Sequence, residues 1–173
     1  MILKLIGSIM ILASGTMLGV KMGYNLRLRL KQLKRFEKII SMLRGEIIYN
    51  NSTIPEAMRH VSRHTVNPFD EILMKISEEL DAFEGRTFKE IWESTFEENG
   101  TKLCFTKEQL ENIKHLGESL GYLDKEMQVN TLDLFMEQIR TDIKDMEQTM
   151  PNNVRMYNCL GVMGGILVLL IIV

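Results

Sequence analysis

The stretch LRLRLKQLKRFEKIISMLRGEI, residues 26–47, places apolar side chains at Leu26, Leu30, Leu33, Phe36, Ile40, Leu43 and Ile47. Spacings of three and four put these residues on one face of an α-helix and leave Lys and Arg on the others. Asn50-Asn51-Ser52-Thr53 breaks the pattern, and the same design then repeats. Thr53-x-x-Glu56 fits a capping box with Pro55 in the first turn, starting a short helix to about His64. Asn67-Pro68 opens the next, with Phe69, Ile72, Leu73, Ile76 and Leu80 inward. Thr87-x-x-Glu90 caps another, with Ile91, Trp92, Thr95 and Phe96 inward and Asn99-Gly100 at its end. Thr106-x-x-Gln109 caps a fifth, with Leu110, Ile113, Leu116, Gly117 and Leu120 facing the core and Gly121 at its end. From Asp124 a long helix carries Met127, Leu132, Phe135, Met136, Ile139, Ile143 and Met146 toward Pro151, which is expected to kink or end it. The class is all-α, a bundle of about six helices.

Outward from this body the chain turns apolar at both ends. No side chain from Leu5 to Val20 is charged, and Met1 to Leu3 precede Lys4. A bilayer span needs about 20 residues. A cleavable signal peptide competes with an anchor here, because Ala13 and Gly15 imitate a small-x-small cleavage site. Apolar Met17, Leu18 and Val20 continue past that site, and a basic segment follows, which favours an uncleaved anchor. The other stretch, Met156 to Val173, is uncharged and would make about 27 Å of helix. A buried core helix is the alternative, but the run has no amphipathic face. The expected organisation is an N-terminal transmembrane helix and interface at residues 1–24, a cytoplasmic helical domain at 25–155 and a C-terminal transmembrane helix at 156–173.

Both apolar stretches carry small residues four apart: Gly15, Gly19 and Gly23 in the first, Gly161 and Gly165 in the second. Such residues share a helix face and let two backbones approach closely. The pattern predicts membrane-helix packing, either between the two spans or between protomers. Homo-oligomers are one of the two outcomes.

Charge is unevenly distributed. Seven basic residues (Lys21, Arg27, Arg29, Lys31, Lys34, Arg35, Lys38) and one acid, Glu37, lie between Lys21 and Lys38. From Ser41 onward there are 13 basic against 22 acidic residues. An acidic body with a basic collar is unlike a nucleic-acid binder, whose folded domain carries the basic patch. Lys and Arg concentrated behind the first apolar run place that side in the cytoplasm, with both termini outside.

The sequence offers no catalytic, cofactor-binding or metal set. Glu56, His60 and His64 share a helix face, but Arg59 and Arg63 flank them and no further ligand spacing appears. A solvated polar face explains them better. The neighbouring acids Glu78-Glu79 and Glu97-Glu98 point about 100° apart on a helix and read as surface. Phosphate loops, nucleophile elbows and dinucleotide fingerprints are lacking. Cys104 and Cys159 form no ligand cluster, and Cys104 reads as a buried small residue. The 13 methionines read as flexible core filling and Trp92 as a core anchor whose indole N–H finds a partner.

Several blocks in order along the chain carry a resemblance. They are Leu3-Lys4-Leu5-Ile6-Gly7, Arg29-x-x-Gln32-Leu33, Leu43-Arg44-Gly45-Glu46-Ile47-x-Tyr49, Ile54-Pro55-Glu56-Ala57 and Phe88-x-x-x-Trp92. The most specific is Leu116-Gly117-Glu118-Ser119-Leu120-Gly121-x-x-Asp124-x-x-x-Gln128, and the Gly161–Val173 tail follows. Together they resemble the stage III sporulation protein AB family over nearly the whole length, with Pro151 and Ile54 as departures. The resemblance implies a domain like the cytoplasmic domains of type II secretion and type IV pilus platform proteins. It implies a place in the mother-cell membrane, in a channel to the forespore. It also implies work beside a secretion-type ATPase, a relative of stage III sporulation protein AA, and other channel components. Within the matching block, Gly117 and Gly121 read as close-crossing or helix-ending positions and Asp124 as a helix cap. Leu116, Leu120 and Gln128 complete this structural motif.

The expected function is therefore a non-enzymatic membrane platform. The alternatives are a membrane-tethered signalling adaptor and, with no residues to support it, a membrane-bound hydrolase.

Overall fold

The computed structural model describes Ile2–Ile172 except residues 83, 84, 122 and 123, without the side chains of residues 2–6, 8, 9, 12 and 169–172. Six α-helices follow one another: α1 (Ile2–Gly45), α2 (Ile54–Ser62), α3 (Phe69–Asp81), α4 (Phe88–Glu98), α5 (Lys107–Leu120) and α6 (Lys125–Ile172). A π-helical turn at Glu46–Asn50 continues α1 until Asn51 takes a left-handed conformation at φ 55°. Among the described residues there is no strand.

The helix starts have the chemistry that the sequence predicts. Thr53 N–H donates to Glu56 Oε2 at 2.9 Å. Thr87 and Glu90 bond reciprocally at 2.8 and 3.3 Å, and Thr106 and Gln109 at 3.1 Å each way. Each pair satisfies two N–H groups that a helix start otherwise leaves open. Pro151 lies inside α6 and does not end it; helical hydrogen bonds on both sides carry the chain past one missing donor.

The chain divides into two compact units, residues 31–143 and residues 1–30 with 144–173, so both dividing points fall inside the long helices. The larger unit is built around Phe36 of α1, which is fully buried. Its ring meets Phe69 at 5.7 Å, Phe96 at 5.9 Å, Phe105 at 6.0 Å and Phe135 at 6.2 Å. These come from α3, α4, the loop before α5, and α6, so one side chain of α1 touches most of the core. Stacked and edge-on rings at such distances add to the burial of their area. Met58, Ile72, Ile76, Ile91, Ile113 and Leu132 close the remaining space. Leu80, Leu110, Ile143 and Met146, expected inward, are only half-buried. Met127, also expected inward, is 52% exposed; it occupies the first turn of α6, where its backbone rather than its side chain is used.

The smaller unit is a helical hairpin of the first part of α1 and the last part of α6. Among the described residues, no helix is long and apolar enough to cross a membrane. The two complete spans expected from sequence are therefore not found among the described residues. Met1 and Val173, the ends of the two expected spans, lie outside the described residues.

Candidate functional site

The hairpin brings the small residues of its two helices together. A methyl group added to Gly15 would lie 2.7 Å from the Gly161 carbonyl oxygen and 3.3 Å from the Gly165 Cα. One at Gly161 would lie 2.6 Å from the Gly15 oxygen, and one at Gly19 2.6 Å from the Tyr157 oxygen. Real side chains do not reach these separations, so only glycine permits this backbone contact. At Gly23 the contact loosens to the Val154 side chain at 3.2 Å. Gly7 and Gly164 meet nothing within 4 Å.

With the glycines turned inward, the apolar side chains face out. Met17 is 75% exposed and Met163 63%, and Met10, Leu18, Val20, Met22, Tyr24, Leu160, Ile166 and Leu167 are exposed with them. Only Met58 and Met136 among the described methionines are buried, so methionine serves this outer surface more than the core. A shallow apolar groove of about 480 Å³ lies along Leu160, Met163, Gly164, Ile166 and Leu167. A continuous exposed patch of this kind marks an interaction surface.

A second constellation joins α5 to α6. Leu116 and Leu120 are buried. A methyl group on Gly117 would overlap Cγ and Cδ1 of Trp92, and one on Gly121 would meet Phe88 Cβ at 3.2 Å. Gly121 keeps an ordinary right-handed conformation at φ −71°, so close approach, not a left-handed turn, requires it. The fully buried Trp92 donates its indole N–H to the Ile113 carbonyl at 2.7 Å. Asp124 Oδ1 accepts the Met127 N–H at 2.9 Å, capping α6, and Gln128 Nε2 donates back to the Leu120 carbonyl at 3.1 Å. All six residues of the block, Leu116, Gly117, Leu120, Gly121, Asp124 and Gln128, thus build one corner.

Gln32, which the sequence presents only within the Arg29-x-x-Gln32-Leu33 block, has a structural role. It is 4% exposed, donates to the Lys102 carbonyl at 3.2 Å and accepts the Cys104 N–H at 2.6 Å. One buried amide on α1 thereby holds a carbonyl and an N–H of the loop before α5. Its signal was present: Gln32 stands four residues before Phe36, on the apolar face. Cys104 itself is half-buried.

The candidate metal face is used otherwise. Glu56 serves its capping box, His64 Nδ1 lies 2.9 Å from the His60 carbonyl, and His60 Nδ1 lies 3.3 Å from Glu46 Oε2. Among the described residues no group of three or more His, Cys, Asp or Glu could hold a metal. Hydrogen bonds, first from Asn50 and then from His60 and Ser52, hold the Glu46 carboxyl below the usual carboxylate range. Bonds from Thr53 and Thr87 at the caps lower Glu56 and Glu90, and Lys75 and Lys89 lower Glu98 and Glu118. Each shift has a structural cause at a helix end or a surface pair.

The sequence profile of a family described as Stage III sporulation protein AB matches residues 4–173. The chain belongs to this family. Membership makes it a sporulation protein of the stage III group. Stage III sporulation protein AB of Bacillus subtilis (strain 168) is 25% identical over 170 residues, covering 98% of this chain and 99% of the relative. A solved structure of a stage III sporulation protein AB covers 72% of this chain and 97% of its own, at 22% identity and a TM-score of 0.65. That likeness establishes the shared fold.

Proposed function

We propose that this protein is a non-enzymatic membrane platform of the apparatus joining mother cell and forespore. In this reading the hairpin lies in lipid and the 31–143 body works on the cytoplasmic face. The observation that carries it is the inverted surface of the hairpin. Glycine contacts fill its seam while methionine, leucine, valine and isoleucine face out. Water disfavours such a surface by roughly 25 cal/mol per Å² of exposed apolar area, and hydrocarbon does not. Glycine seams are a common way for helices to associate where lipid removes the hydrophobic driving force between them. The basic run from Lys21 to Lys38 sets the orientation, because positive residues remain on the cytoplasmic side.

The body supplies a surface, not a reaction centre. Its shifted acids are engaged by caps and by the Lys75 and Lys89 pairs, an arrangement suited to stability. Docking of a secretion-type ATPase, the relative of stage III sporulation protein AA, rests on the family analogy. The test is co-purification of both full-length proteins in neutral detergent. Association at micromolar concentrations is expected, and its absence there refutes the docking.

A further inference from the structure

The glycines of α1 recur every fourth residue at 15, 19 and 23, and the next position in that series is Arg27. Opposite, the seam of α6 runs through Gly165, Gly161, Tyr157 and Val154 and then reaches Pro151. Two backbones that touch at Gly15 cannot touch where Arg replaces Gly. A cavity of about 410 Å³ lies there, lined by Arg27, Met150, Pro151, Val154, Arg155 and Asn158. No lining residue is acidic. Two guanidinium groups and an amide offer donors, and Met150, Pro151 and Val154 offer an apolar wall.

Arg44, Arg59, Arg86 and Arg140 each hold a carboxylate, of Asp133, Asp81, Glu79 and Glu37 respectively. Neither Arg27 nor Arg155 forms an ion pair among the described residues. Two forked cations facing one cavity without a counter-charge suit a phosphate, whose oxygens accept paired N–H donors. Depth along the hairpin selects the kind of phosphate. Arg27 lies seven residues past Val20, about 10 Å, and Arg155 four residues before Cys159, about 6 Å. That is the polar layer just outside the hydrocarbon, within reach of long side chains.

We propose that this cavity binds the headgroup phosphate of an anionic phospholipid. Basic pockets between membrane helices on the cytoplasmic side recognise such headgroups. The inference rests on the membrane reading above, and its test separates the two.

The full-length chain in neutral detergent is mixed with equal amounts of phosphatidylglycerol and phosphatidylcholine, and retained lipid is counted by native mass spectrometry. Phosphatidylglycerol is expected to be retained over phosphatidylcholine by roughly thirtyfold, the worth of two basic side chains at an anionic lipid surface. The double variant Arg27→Gln with Arg155→Gln is expected to lose the preference. Lys21→Gln with Lys31→Gln, which removes equal charge outside the cavity, is expected to keep it. Each single Arg variant is expected to lose about half of the preference on a logarithmic scale, which preserves the test if the double variant does not fold. Preference unchanged in the Arg variants, or lost equally in the Lys pair, overturns the site. Displacement of the lipid by millimolar inorganic phosphate overturns the lipid as the source of the phosphate. Flotation of the wild type with pure phosphatidylcholine vesicles reads the membrane placement separately. A chain that floats but shows no headgroup preference refutes the cavity alone, and a chain that does not float refutes the membrane reading.

Discussion

Gly117 supports the Trp92 indole, and nothing larger fits without moving that ring. Gly117→Ala is expected to cost about 1–3 kcal/mol through overpacking. Gly45→Ala gives the contrast: an added methyl there meets nothing within 4 Å and the backbone is already helical, at φ −59°. That change is expected to stabilise by up to about 1 kcal/mol. Thermal melts of the two variants, moving in opposite directions, check the pair. At the same corner Asp124→Ala removes the cap from Met127 N–H and is expected to cost about 1 kcal/mol, measured by chemical denaturation. Unchanged stability with lost complex assembly would instead make Asp124 a contact residue.

At the scale of elements, the cap acids tie stability to pH. Glu56 and Glu90 accept hydrogen bonds that favour their charged forms, so their folded pKa values lie below those of the unfolded chain. Their contribution is fully present above the ordinary glutamate value of about 4.3 and is lost as pH falls through the lowered folded values. Glu56→Gln with Glu90→Gln is expected to flatten stability between about pH 4.5 and 3, because Gln109 already fills the same role uncharged. Denaturant melts across that range test it. The helix starts were legible in the sequence because each capping box is local, four residues satisfying their own donors. Gln32 was not assigned, since its two partners lie 70 and 72 residues away and no local rule specifies such a pair. Met127 misled for the opposite reason, since its spacing suits the core while its position in the first turn leaves it exposed. In the hairpin, Gly spacing indicated close packing but left the partner open, and the fold seats Gly15 on Gly161 of the same chain. Gly161→Leu is expected to part the helices. Spin labels at the exposed positions Ser14 and Met163 then change from a narrow distance distribution in the parent protein to a broad one, at an unchanged body melt.

Across the whole molecule, two chemically opposite surfaces belong to one chain. The larger unit buries Phe36, Phe69, Phe96 and Trp92 in one core and carries paired charges on its surface. The hairpin buries glycine and displays methionine and leucine. On the proposed reading such a chain sits where two solvents meet, with the basic residues from Lys21 to Lys38 at the boundary. Alkaline carbonate extraction of membranes from cells making the full-length chain tests this claim most directly. The account predicts that the protein stays in the pellet and requires detergent for release. Release into the carbonate supernatant, followed by purification as a monomer without detergent, would contradict it.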